Sequence, residues 1–307
     1  MRKLLTVLAV LATALVLGIA PAGAITNGVP DNGAHPQVGQ LFFYVPDDVD
    51  PRFSDPGAWF NCSGTLISPT VVLTAGHCTF GVGLNGEPTT GAGGDSGNDV
   101  WVNFSDEPNY DGLPPSSAYI PDRNQERYED RVEWLESQPE WHRGTSYPHP
   151  TYNPAAFFLF DAGVVILDEP VQVDEYGTLP GEGALDEVKK NDRLYTPVGY
   201  GLNASGPKTA EGGDIRYQAT VKLVNLNGVF GIPDGTAAKF SNNNGKPHQG
   251  GTCFGDSGGP IFIQGTLTIV AVTSFGINSN CAGSGGGYRI DQADDLDWLA
   301  NVLAGNP

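Results

Sequence analysis

Short apolar runs separated by polar, turn-rich stretches dominate the 307-residue chain. Residues 71–73 are β-branched and aliphatic, and the run breaks at Ala75-Gly76, which predicts a short buried strand. Trp101-Val102-Asn103-Phe104 alternates with period two, as does the region just before Asp161, and both are expected to be strands. Asp161-Ala162-Gly163-Val164-Val165-Ile166-Leu167 begins with an acid and continues as an apolar strand. Residues 105–140 lack such a pattern and are rich in Asp, Glu, Pro and Tyr, with a short helix expected around residues 123–137. Many short runs, with 42 glycines and 24 prolines, suit a turn-rich all-β fold better than a helical one.

The first 24 residues follow a different logic. Arg2 and Lys3 precede an apolar stretch from Leu4 to Ile19, which ends at Pro21-Ala22-Gly23-Ala24. A basic start, an apolar middle and an Ala-x-Ala arrangement predict a secretory signal peptide. A retained anchor is the alternative, but the stretch is short for a membrane span and has a cleavage site behind it. Removal would make Ile25 the first residue and leave residues 25–307, enough to bury a sizeable core.

Candidate chemistry concentrates in Cys253-Phe254-Gly255-Asp256-Ser257-Gly258-Gly259-Pro260. A serine in a glycine-rich turn has a hydroxyl close to convergent backbone N–H groups, the two parts that acyl transfer needs. A base is then required. Of the five histidines, His35, His77, His142, His149 and His248, only His77 closes a buried strand and is followed directly by a cysteine, Cys78. A carboxylate must orient that imidazole. Asp161 qualifies because an ionised acid at the edge of a buried strand is costly without a partner. Each string alone also permits a bland reading: a tight turn, a core histidine beside a disulfide, a solvated acid that starts a strand. Four cysteines in an exported chain imply two disulfides, and three connectivities are open.

The order His77, Asp161, Ser257, with these local strings, resembles the chymotrypsin/trypsin-like serine peptidases. Ile25-Thr26-Asn27-Gly28 resembles that family's mature N-terminus, and Val198-Gly199-Tyr200-Gly201 its turn before the middle strands of the second barrel. Thr273-Ser274-Phe275-Gly276 resembles the segment that pairs with substrate backbone. Tyr288-Arg289-Ile290 and Leu296-Asp297-Trp298-Leu299 resemble the last strand and the C-terminal helix. The resemblance implies an all-β fold of two antiparallel six-stranded β-barrels, about 25–170 and 171–307, with the active site in the cleft between them. It implies Ser257 as nucleophile, His77 as general base and acid, and Asp161 as the group that orients His77. Gly255 and Ser257 would supply the oxyanion N–H donors, typically about 3–4 kcal/mol each. Asp256 would pair with the amine of Ile25 once the signal peptide is removed. The implied disulfides are Cys62–Cys78 and Cys253–Cys281. No metal or organic cofactor enters this chemistry.

For the primary pocket the resemblance implies Gly251 at the base, followed by Thr252, with Gly276 and Gly286 as walls beside Ser274 and Phe275. Trypsin-like cleavage after Arg or Lys uses an aspartate at the base, and Gly251 departs from that pattern. A roomy uncharged pocket predicts an apolar or aromatic residue before the scissile bond. Protein or peptide substrates follow. A non-catalytic binder is the alternative of a different class, and ester hydrolysis an enzymatic one.

The charge bounds the partners. The chain holds 16 basic and 35 acidic residues, net −19. Such a surface repels nucleic acid and anionic membranes. Much of it lies in residues 105–140, expected to be a solvated loop on the side of the cleft holding substrate residues before the scissile bond. Restricted access, a partner contact or calcium held by carboxylates are further readings of this insertion. The expected state is a secreted monomer with no membrane contact after signal removal.

Overall fold

Alternation along the strands sets the architecture of residues 25–307 in the computed structural model. The described residues are 25–46, 57–87, 89, 96–114, 124–187, 193–206, 209–229, 231–242, 250–276 and 278–307. The expected signal peptide and His248 lie outside them.

After β1 (Val29–Pro30) come β2 (Val38–Val45), β3 (Ala58–Leu66), β4 (Val71–Thr74), β5 (Gly97–Asn103), β6 (Trp141–Pro148) and β7 (Gly163–Leu167). Strands β2 to β7 close into an antiparallel barrel in the order β2-β3-β4-β7-β6-β5. Its interior takes every second residue of β2, Leu41, Phe43 and Val45, against Leu66, Val72, Val100, Val102 and Val165. The outer face is apolar too: Phe42, Trp59 and Trp101 point the other way.

Helix α1 (Asn124–Ser137) covers that outer face. Leu135 is fully buried among Trp101, Trp141 and Trp59, a gain of about 1.5–3 kcal/mol for one side chain. Tyr128 donates a hydrogen bond of 2.6 Å to buried Asp99, and Arg143 bridges from β6 to Glu136. The helix matches the one expected around residues 123–137. The insertion, however, is no solvated excursion, because it seals an aromatic surface that the barrel presents.

The second half contains β8 (Leu194–Gly199), β9 (Leu202–Gly206), β10 (Thr209–Gly212), β11 (Tyr217–Gln218), β12 (Val221–Asn225), β13 (Ala237–Asn242), β14 (Pro260–Ile263), β15 (Ile269–Gly276) and β16 (Gly283–Arg289). Strands β8-β12-β13-β16-β15-β14 follow one another, and a β14–β8 pairing closes this second barrel. β9 and β10 form a separate hairpin. β1 pairs with β11 beside β8, so the N-terminal strand runs along the second barrel although it precedes the first in sequence. The C-terminal helix α2 (Ala293–Leu303) sits at the seam, with Trp298, Leu299 and Val302 in one cluster with Val71, Leu73 and Val164 of the first barrel and Ile269 and Val272 of the second.

One expected strand is absent. The region just before Asp161 is a 3₁₀ turn, Pro154–Ala156, with Asn153 accepting from the Ala155 N–H, followed by bends. Phe160 has φ of +52°, which no strand residue adopts. The alternation read there does not become a strand, because the 3₁₀ turn and the positive φ of Phe160 bend the chain.

Candidate active site

His77 and Asp161 are 84 residues apart and meet because β4 and β7 pair. His77 lies in the 3₁₀ turn Gly76–Cys78 just after β4, and Asp161 two residues before β7. Asp161 is fully buried. It accepts from the His77 N–H at 2.8 Å, from His77 Nδ1 at 2.9 and 3.0 Å, and from Ser274 Oγ at 2.5 Å. These bonds offset the cost of burying the carboxylate and fix the ring by two points, its backbone and Nδ1. Ser274, expected in the substrate site, lines the cavity before Ser257 and also gives its hydroxyl to Asp161.

Ser257 comes from the other barrel, in the loop that enters β14. Its carbonyl accepts from the Ser63 N–H at 2.7 Å, which ties the loop to β3. The neighbouring N–H groups are occupied: Asp256 donates to Cys253, Gly258 to Thr273 and Gly259 to Asp256. Among the described residues the N–H groups of Gly255 and Ser257 have no such partner. Gly255 has φ of +95° and Gly258 of +76°, backbone conformations that favour glycine at both positions of this turn. Ser257 and His77 line one cavity without a hydrogen bond between them, a spacing common in ligand-free sites.

The rear of this loop is a buried acid. Asp256 is inaccessible to solvent and accepts from the Gly201 and Cys253 N–H groups, each at 2.8 Å. Burial pushes its carboxyl up to about 7. The Gly199-Tyr200-Gly201 turn lies so close that a Cβ at Gly201 would fall 2.4 Å from the Asp256 nitrogen. Ile25 is also fully buried, packed with Tyr217 and Ala219, and Thr26 exchanges backbone hydrogen bonds with Gly251. Both disulfides, Cys62–Cys78 and Cys253–Cys281, are formed. They use the sulfurs of the Cys62, His77, Cys78 group, which therefore offers no thiolates to a metal.

The cavity before Ser257 has a volume of about 390 Å³. Thr252, Ser274, Phe275 and Gly276 line it as expected, joined by Phe157, Phe254 and Cys281. Gly251 and Gly286 do not, which corrects the expected base and wall. A side chain at Gly251 would start 2.2 Å from Asn242 Oδ1, so the Asn242 amide already fills that space. Asn242 donates to the carbonyls of Thr252 and Cys281 and is buried. Gly286 lies under the Phe275 ring, where a Cβ would be 2.3 Å from the ring atoms. Phe157, whose ring meets His77 edge-on at 6.4 Å, was missed; its signal was the aromatic run before Asp161 read as a strand.

A second cavity of about 590 Å³ opens on the other side of Phe254 and Gly255, away from β15. Asn61, Gln40 and Phe42 of the first barrel line it with Tyr110, Leu113 and Arg131 of the insertion. The described insertion residues Tyr110, Leu113 and Arg131 line this second cavity and not the one before Ser257.

The trypsin family model matches residues 125–299, more than half of the chain. The chain is 26% identical to serine protease 1 of Drosophila melanogaster over 284 residues, covering 90% of this chain and 84% of the relative. It is 23% identical to CLIP domain-containing serine protease B15 of Anopheles gambiae over 288 residues, covering 89% and 67%. A solved structure of HL collagenase shares the fold, with a TM-score of 0.57, 19% identity, and coverage of 93% of this chain and 97% of that one.

Proposed function

This chain belongs to the trypsin family and is a serine endopeptidase; from that premise we propose that His77, Asp161 and Ser257 are its catalytic triad. The observation that carries the reading is the fully buried Asp161 bound twice to His77, in a cavity that His77 shares with Ser257. Ser257 Oγ attacks the scissile carbonyl, and His77 Nε2 accepts its proton. Asp161, bound to Nδ1, sets the tautomer and stabilises the imidazolium. The free N–H groups of Gly255 and Ser257 receive the oxyanion. His77 returns the proton to the leaving amine, and water hydrolyses the acyl-enzyme by the same route.

The residue before the scissile bond enters the cavity walled by Phe157, Phe275, Thr252 and the Cys253–Cys281 bridge, which favours apolar and aromatic side chains. Arg and Lys find no carboxylate among the described residues that line this cavity. Secretion, with removal of residues 1–24, would convert the Ile25 peptide nitrogen into an amine. That amine is the cation that the solvent-inaccessible Asp256 lacks.

Labelling with a fluorophosphonate, read by intact mass, tests the assignment. One adduct per chain that starts at Ile25, absent from Ser257→Ala, is expected. No adduct on such a chain overturns it.

A further inference from the structure

The cavity beyond Phe254 is lined by a buried cation that has no ion-pair partner among the described residues. Arg131 of α1 is 4% exposed and lines that cavity. Its guanidinium lies over the rings of Phe42 and Trp59, with Cζ 5.3 and 5.7 Å from their centroids. Its Nε is buried with no hydrogen-bond partner. Among the described residues no carboxylate lies within ion-pair distance of it, and burial alone pushes the guanidinium down to about 10. This occurs in a protein with 35 acidic and 16 basic residues. An arginine desolvated without an acid is costly, and partners of the right charge are abundant here.

The location gives that cation a use. Phe254, 56% exposed, borders both cavities, and Gly255 borders the second. Asn61 of the second cavity is two residues from Ser63, which is bonded to the Ser257 carbonyl. A chain whose acyl half fills the cavity beside β15 and whose carbonyl faces Gly255 continues past Phe254 into this space. Asp214 also lines it, but at the exposed rim. Tyr110 and Gln40 close the wall, with the Tyr110 hydroxyl donating to Gln40 and Gln40 donating to the Gly213 carbonyl at 2.9 Å.

We propose that this cavity is a leaving-group subsite in which Arg131 binds a carboxylate located after the scissile bond. The inference rests on the triad reading above. Two sources supply that chemistry: an Asp or Glu side chain, or the free C-terminus of a short substrate. Planar, charge-assisted pairing with a guanidinium suits both.

Acyl transfer tests this without reference to the acyl side. An acyl-enzyme formed from a succinyl-peptide phenylalanyl thioester is offered the nucleophiles Ala-Glu-NH2, Ala-Gln-NH2 and Ala-Leu-OH, with Ala-Leu-NH2 as reference. The ratio of aminolysis to hydrolysis is taken within one acyl-enzyme, so it does not depend on the rate of acylation. Wild-type protein is expected to prefer Glu over Gln roughly tenfold or more, the size of one charge-assisted hydrogen bond. Preference for Ala-Leu-OH over its amide identifies the chain end as the source. Arg131→Met should abolish the preference and Arg131→Lys retain part of it. Equal partitioning in wild-type protein that labels normally with fluorophosphonate overturns the subsite alone, even if both variants fail to fold. Absence of thioester turnover and of labelling overturns the triad reading and the subsite with it.

Discussion

Phe254 divides the cleft into two halves built from different kinds of sequence. The half beside β15 draws on two short strings, around His77 and Ser257, plus the end of β15 from Thr273 to Gly276 and the aspartate that precedes β7. The half beyond Phe254 is assembled from β2, β3, the loop after β5, α1 and the β9–β10 hairpin. Their buried polar groups differ in the same way. Asp161 has all its burial compensated by three donor groups. Arg131 has ring faces and, among the described residues, no ion-pair partner, and its buried Nε has no hydrogen-bond partner there. A second buried arginine sharpens the contrast: Arg216 is 2% exposed, paired with Asp31 at 3.0 Å and with Asp106, and it also bonds Tyr200. In one protein, a compensated cation holds elements together and an uncompensated one faces a cavity.

The comparison can be broken at several points. The largest effect belongs to Asp161→Asn, which leaves the shape of the acyl half intact but removes the charge that sets the His77 tautomer. Peptide hydrolysis should fall about 10⁴-fold in kcat, as in other Ser-His-Asp triads, with the circular dichroism spectrum unchanged.

Next is the buried acid behind the oxyanion loop. In the uncleaved chain Asp256 holds its proton to about 7 whereas the unfolded chain releases it near the ordinary 3.8. Its contribution to stability is therefore fully present below about pH 4 and lost as pH rises through 7, on the order of 4 kcal/mol. Denaturant midpoints of Ser257→Ala protein between pH 4 and 8 should show this decline in the uncleaved form. The decline should shrink in protein that starts at Ile25 if its amine pairs with Asp256 as proposed. An identical profile for both forms would separate Ile25 from Asp256.

Arg216→Met tests the compensated arginine. It strips the cation from solvent-inaccessible Asp31, and urea unfolding should report a loss of about 3 kcal/mol or more. His35, bonded to the other Asp31 oxygen at 2.5 Å, limits the damage. Gly251→Asp is smaller in energy but decisive for the pocket. The new side chain meets Asn242, so roughly 1–3 kcal/mol of stability should be lost with no gain of Arg or Lys cleavage. Cleavage after Arg in that variant would mean that Asn242 yields. The smallest change is expected for Arg131→Met, which should unfold within about 1 kcal/mol of wild type or above it, since it removes an unpaired buried charge.

The same division explains what the amino-acid order disclosed. The His77, Asp161 and Ser257 strings are local, so the chemistry of each is written in adjacent residues. Strand character is legible in runs such as 101–104, most of which falls in β5, with Trp101 on the outer face and Val102 in the barrel interior. The second half of the cleft was not legible, because Arg131, Asn61 and Phe254 are brought together only by the fold. Residues 105–140 look like a solvated loop from their acid content. Their apolar members Tyr110, Tyr128, Val132 and Leu135 are spread among charges and find their partners on β2, β3 and β5. The pocket base failed for a related reason: Asn242 is nine residues from Gly251, and no pattern links them.

A cleavage profile reads both halves of the cleft at once. The protein starting at Ile25 is incubated with a defined library of natural peptides, and the new termini are sequenced by mass spectrometry. Phe, Tyr or Leu is expected before the cut together with an excess of Asp, Glu or chain ends just after it, the excess lost in Arg131→Met. Cleavage after Arg or Lys, with no acidic bias beyond the cut, would contradict this expectation on both sides of Phe254.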